Sequence, residues 1–158
     1  MRAGRTRAGQ HGFTYLGGLF LLSLMGLGLA GTGEAWTVAS RRARERELLW
    51  TGNQYMRALK SYYDQSPGAR QYPMKLEELL EDRRFAQPRH HLRQMYADPI
   101  ARGEFVLIRN GHGRIAGVRS ASEDMPMKQA NFPLALKDFQ GRVRYADWQF
   151  IADESFRR

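Results

Sequence analysis

Between Phe13 and Gly33 the chain carries no charged residue, and leucine and glycine dominate the run FTYLGGLFLLSLMGLGLAGTG. About 20 apolar residues at 1.5 Å rise span a ~30 Å hydrocarbon layer as a helix. A helix apolar on every side needs lipid around it, or enough protein to enclose it. A chain of 158 residues has little left for the second purpose. The run therefore predicts one transmembrane helix over 13–33. Glycine is costly in a water-exposed helix but common in membrane spans. Gly26, Ala30 and Gly33 recur at i, i+4 and i+7, a strip where a neighbouring helix backbone can come close. The alternative is that these glycines only soften the helix.

Charge on either side of this run does not fix its orientation. Arg2, Arg5 and Arg7 precede it and Arg41, Arg42, Arg44 and Arg46 follow, so the positive-inside rule is nearly balanced. The formal charge of +9 by itself points to nucleic acid, anionic lipid or an acidic partner. In the run RRARERE, however, Glu45 and Glu47 alternate with the arginines. That pattern reads as a solvated, salt-bridge-laced helix face or as headgroup contact, ahead of nucleic acid. There is no cysteine, which excludes disulfides and thiolate metal sites.

Residues 34–66 continue the helix in amphipathic form. Leu48, Gly52, Tyr55, Leu59 and Tyr62 share a face, with Leu49, Met56 and Tyr63 alongside, until Ser66-Pro67-Gly68 breaks the pattern. The remainder, 67–158, reads as a small globular domain. Leu76, Leu79 and Leu80 predict a short second helix starting near Pro73. The runs on either side of Asn110-Gly111 predict a β-hairpin. Asp147–Ala152 predicts a last strand with Trp148, Phe150 and Ala152 on one face. A helical turn is expected near Leu134–Phe139. The fold class is α+β: a long N-terminal helix, half membrane and half amphipathic, packed on a small antiparallel sheet.

Nothing local in the sequence points to catalysis. His90-His91 are adjacent, so their side chains diverge, and no neighbouring Cys, Asp or Glu completes a tetrahedral set; they read as surface residues. His112 reads as part of the hairpin turn. Gly111-x-Gly113 lacks a phosphate-loop lysine and a following helix. No serine stands in a nucleophile motif. The expectation is a structural protein with no enzyme activity, cofactor or metal.

The N-terminus reads MRAGRTRAGQHG and then FTYLGG: a short basic stretch ends in glycine, and an apolar helix opens at once on phenylalanine. This resembles the signal of type IV pilins and type II secretion pseudopilins. The combination of QYPMKLEELL, Asp98-Pro99 and a following hairpin is similar to the globular part of the major pseudopilins, the general secretion pathway protein G group. The resemblance implies a pilin-like fold and cleavage between Gly12 and Phe13 by a prepilin peptidase, with methylation of Phe13. It implies a cytoplasmic leader over 1–12, a single-pass anchor in a bacterial inner membrane, and an exported domain in the periplasm. Its partners would be the prepilin peptidase, other pseudopilin subunits and inner-membrane components of a secretion system.

The chain departs from that pattern at its fifth mature position, where the family usually has glutamate and this sequence has Gly17. This fits a minor, tip-like or divergent subunit better than a main repeating one. Many major pseudopilins also hold calcium in the C-terminal loop, and here only Glu123 and Asp124 cluster there, too few for a six- to eight-oxygen site. Other readings stay open. A secretory signal peptide would be cut after Ala35, at Gly33-Glu34-Ala35. A bitopic inner-membrane scaffold would not assemble into a filament. A DNA-binding minor pilin rests on the basic charge alone.

Overall fold

The apolar rhythm after the charged run is realised as one helix. The structure, a computed structural model, describes the backbone of residues 11–152 and side chains over 15–23 and 36–152. The leader 1–12 therefore lies almost wholly outside the described residues, as do the side chain of Phe13 and the surroundings of Gly26, Ala30 and Gly33. Helix α1 runs over His11–Asp64. The chain divides into two compact units, 1–41 and 42–158. In the first, the described residues Tyr15, Leu16, Phe20, Leu21 and Leu22 are all exposed, covering every side of the helix. Among the described residues no helix is long and apolar enough to cross a membrane. The expected span 13–33 has described side chains only over 15–23.

In the second unit Leu48, Thr51, Gly52, Tyr55, Ala58, Leu59 and Tyr62 are buried, three and four residues apart on one face of α1. They pack on a three-stranded antiparallel sheet of order β1-β2-β3, with β1 at Val106–Arg109, β2 at Ile115–Arg119 and β3 at Gln149–Ile151. β1 pairs with β2 from Val106↔Arg119 to Arg109↔Ile115, with a bulge between Ile108 and Arg109. β2 pairs with β3 through Gly117↔Ile151 and Val118↔Phe150. The architecture is α+β.

Gly52 is required by this packing. A Cβ at that position would lie 2.5 Å from the Phe150 ring, so only a bare backbone lets β3 come this close to α1. Phe150 in turn meets Phe139 edge-on at 5.0 Å, and Phe139 stacks on Trp148 at 5.3 Å. The indole N–H of Trp148 is buried without a hydrogen-bond partner among the described residues. β3 buries Ile151 as well as Phe150 while Gln149 stays exposed, so burial is not confined to the predicted face.

The hairpin forms where Asn110-Gly111 predicts it, but the left-handed residue is Gly113, at φ +73°. Asn110 closes the loop by accepting at Oδ1 from the backbone N–H groups of His112 and Arg114, both at 3.0 Å. The short helix expected after Pro73 is only a 3-10 turn, Leu76–Leu79. Tertiary contacts compete with its extension. The Pro73 carbonyl accepts from Ile115 N–H at 2.9 Å, and the Leu79 carbonyl accepts from His91 and Leu92 N–H, both at 2.9 Å. The predicted turn at Leu134–Phe139 is also 3-10.

Candidate functional site

Three buried carboxylates organise the second unit, and each one ties distant segments together. The first is Glu45, 5% exposed on α1. Its Oε2 accepts from Met127 N–H at 2.7 Å and from the Tyr145 hydroxyl at 2.8 Å, and its Oε1 accepts from Lys128 N–H at 3.1 Å. Most of RRARERE is exposed as a solvated face would be, and the correction falls on Glu45 and on the expected salt bridges. One of its two acids turns inward, and among the described residues no ion pair joins that run. The signal was present: Glu45 stands one turn before Leu48 on the buried rhythm.

Asp98 is the second. Its Oδ1 accepts from Ile100 N–H at 2.9 Å, and its Oδ2 accepts from the Ser120 hydroxyl at 2.6 Å and Ala121 N–H at 3.2 Å. The Asp98-Pro99 turn is thereby fastened to the end of β2. The opposite side of the loop region is held by Arg144, which bridges Glu123 at 2.7 Å and Asp147 at 2.9 Å. Glu123 is thus committed to a cation, and among the described residues no group of three or more side chains could hold a metal ion.

Asp82 is the third and the one with most chemistry around it. Arg84 donates to its Oδ1 at 2.8 Å and its Oδ2 at 2.7 Å. The same guanidinium lies 3.5 Å over the Tyr62 ring and donates to Ser66 Oγ and the Tyr62 carbonyl. Burial by itself pushes the Asp82 carboxyl up, but the bonds from Arg84 and His91 outweigh it and bring the pKa down to about 2. Tyr62 is pushed well above the usual phenol value, first by burial and then by its 2.6 Å bond to Glu78.

His91 completes this cluster, and it is not the surface residue that the sequence predicts. Its side chain is 2% exposed. Nδ1 lies 2.9 Å from Ser61 Oγ, and Nε2 lies 3.2 Å from Asp82 Oδ2. With the proton on Nε2, the ring donates to Asp82 and accepts from Ser61. Its neighbour His90 stays exposed, against the Leu80 carbonyl. Serine, histidine and aspartate in line are the parts of an acyl-transfer relay. Here the surroundings favour a structural use. Ser61 lies inside α1, where backbone N–H groups are spent on the helix and cannot serve as oxyanion donors. Gln65 donates to the same hydroxyl at 2.9 Å, and the Asp82 carboxylate is shared with a guanidinium.

Clefts open on this unit, two of them beside the 90–97 segment. One, of about 650 Å³, is built on β1 and includes Met74, Leu76, Met95, Tyr96 and Leu107. The other, of about 530 Å³, lies between Trp50, His90, Arg93 and Tyr96. Of the sequence-predicted site residues, Gly12 is described only as backbone in the first turn of α1, and Phe13 likewise. Sequence reasoning did not find Glu45, Asp82 or His91 as a set of anchors. No protein-family model, curated protein or solved structure matches the chain.

Proposed function

We propose that this chain is a structural, non-enzymatic subunit of a pseudopilin-like assembly, processed at Gly12–Phe13 and supporting protein export across a bacterial envelope. The observation that carries this reading is the Gly12-Phe13 junction at the head of an apolar stretch, followed by a helix that serves as the spine of a small α+β domain. A pilin-like fold is consistent with that order of elements. In this reading 13–33 anchors the protein in the inner membrane, and Gly26, Ala30 and Gly33 let sister helices approach. The periplasmic domain then contacts other pseudopilins and the secretion machinery. The buried carboxylates and the His91 cluster serve as rivets rather than as chemistry.

The direct experiment is the mass and N-terminal residue of the protein isolated from membranes, with and without the prepilin peptidase. N-methylated Phe13, lost in the peptidase mutant, is the expected result. A mature start at Trp36 would make it a secreted domain, and an intact Met1 would remove the filament reading. Loss of secretion or of filaments on deletion of the gene is the cellular counterpart.

Gly17 favours one second reading. Without a carboxylate there, a new N-terminal amine has no partner at the family's usual place, as a bitopic scaffold outside any filament would not need one. Cysteines along the Gly26–Gly33 strip separate the two: homotypic ladders on oxidation support a filament, and cross-links only to other proteins support a scaffold.

A further inference from the structure

The helix that builds the core leaves a tryptophan outside it. Trp50 is 52% exposed, although Leu48 and Tyr55 on the same stretch of α1 are buried. Its ring is nonetheless held. It meets Tyr96 edge-on at 5.2 Å, and the Tyr55 hydroxyl fixes Tyr96 by donating to its carbonyl and accepting from its N–H, both at 2.9 Å. The two rings flank the cleft of about 530 Å³ that Gln54, His90 and Arg93 help to line. Behind it, the N–H groups of His91 and Leu92 are tied to the Leu79 carbonyl, both at 2.9 Å, so this wall is set before any ligand arrives. The volume falls within the range of small-molecule clefts, about 300–1,000 Å³.

The polar groups of the cleft have definite roles. Arg93 is exposed and Gln54 half-buried, and neither side chain makes a polar bond among the described residues. The guanidinium offers a planar fork to a carboxylate or phosphate, and the amide offers both donors and an acceptor. His90 gives its Nδ1 proton to the Leu80 carbonyl, which leaves Nε2 of the neutral ring to accept from a hydroxyl. Among the described residues no carboxylate lines this cleft. Of the acids around it, Glu81 is held by Arg83 at 3.0 Å, Asp82 is shared by Arg84 and His91, and Glu104 lines the other cleft. On α1, Glu47 stands one turn before Trp50, but so does Arg46, and Arg57 follows one turn after Gln54.

We propose that this cleft binds an acidic sugar, a ring unit of a glycan that carries a carboxylate or a phosphate. The C–H face of the ring lies on the indole, its hydroxyls meet Gln54 and His90, and its acid group meets Arg93. A fatty chain would leave those three polar groups unmet. A nucleic-acid strand needs successive stacking platforms along a basic track, and here one aromatic pair stands over one short cleft. The inference is independent of the assembly reading, since a filament subunit and a lone scaffold could both carry such a site.

The test is calorimetric titration of the full-length protein in amine-oxide micelles, which contain no sugar. The probes are tetragalacturonate, glucose 6-phosphate and neutral maltotetraose. Saturable binding of at least one acidic probe, about tenfold or more tighter than maltotetraose, is the expected result, and the tighter of the two identifies the acid. Arg93→Gln should weaken that probe by about tenfold and abolish its advantage over the neutral sugar. Trp50→Ala should also cost about tenfold, while Trp50→Phe keeps a stacking face and most of the affinity. Both side chains are exposed, and an unchanged thermal midpoint shows that the variants keep the fold. Inorganic phosphate bound as tightly as the acidic sugars would mean a bare anion site and overturn the proposal. An equal response to maltotetraose, or affinity unmoved by Trp50→Ala, would overturn it too. A single-stranded oligonucleotide bound more tightly than any sugar would give the cleft to nucleic acid, and no binding at millimolar sugar would leave it without this ligand.

Discussion

A carboxylate that receives two backbone N–H groups and a phenol, as Glu45 does, ties two distant chain segments to the helix that carries it. Removing it takes the acceptor from two part-buried N–H groups and from one bond of the buried Tyr145 hydroxyl. Hydrogen bonds to a charged group contribute about 1.5–3 kcal/mol each, and their loss is not additive. Glu45→Ala is therefore expected to cost about 3 kcal/mol, read as a lower denaturation midpoint, with earlier proteolysis in the segment around Met127. Glu45→Gln should cost less, because one amide oxygen still accepts. Equal stability of the alanine variant would show that the loop holds itself. Gly52 makes the opposite kind of demand. Alanine there gains up to about 1 kcal/mol of helix propensity but forces Phe150 aside, and overpacking of this kind costs about 1–3 kcal/mol. Gly52→Ala is expected to destabilise by about 1–2 kcal/mol, with the near-ultraviolet signal of the Phe139–Trp148 stack altered. A stabilised variant would mean that β3 does not press on the helix.

At the scale of elements, the end of α1 is fastened to the 79–92 segment through Asp82, and this gives folding a pH dependence. Arg84, His91, Ser61, Tyr62 and Glu78 all take part in that cluster. The Asp82 pKa falls from its usual 3.8 to about 2 on folding. A depressed folded value means stability that is present above the unfolded pKa and is lost as pH falls through the folded one. Asp82 should thus contribute about 2 kcal/mol near neutral pH, lost between about pH 4 and pH 2. Asp82→Asn should lower stability at pH 7 and flatten that stretch of the pH profile; a slope unchanged in the variant would assign it to other acids. Elements governed by local rules were legible in the residues. Period-two runs around Asn110-Gly111 and at the last strand, and the 3–4 rhythm of α1, correspond to elements at those places. The helix after Pro73 was not, because long-range donors from Ile115, His91 and Leu92 claim the carbonyls on either side of it. His91 was illegible for the same reason: Ser61 and Asp82 come from separate segments, and no local pattern announces that they meet. Glu45 was legible only to someone willing to place an acid on the apolar face.

Across the whole molecule, the labour is split between a stretch whose described apolar side chains are exposed and a domain that buries its own. Among the described residues, every buried hydrophobic side chain from Leu48 to Ile151 and each buried acid lies within 42–158. The described apolar side chains of the first unit, such as Leu16, Phe20 and Leu22, are exposed. Burial drives folding in proportion to the apolar area removed from water, so the domain should not need the first unit to reach its folded state. A chain starting at Trp36 is expected to unfold cooperatively in urea, with a thermal midpoint within about 5 °C of the full-length protein, a window that corresponds to about 1 kcal/mol for a domain of this size. It retains two helical turns before Glu45, so fraying at the new start should spare the carboxylate and its three donors. The full-length chain, by contrast, should require detergent or lipid to stay monomeric, because its exposed leucines and phenylalanines have only each other to meet in water. Circular dichroism and urea melts on the two chains, side by side, decide this. If the truncated chain loses its cooperative transition, the first unit contributes to the core after all. The domain's anchors would then have to be sought before Arg42, and the division into a first unit and a self-sufficient second one would be wrong.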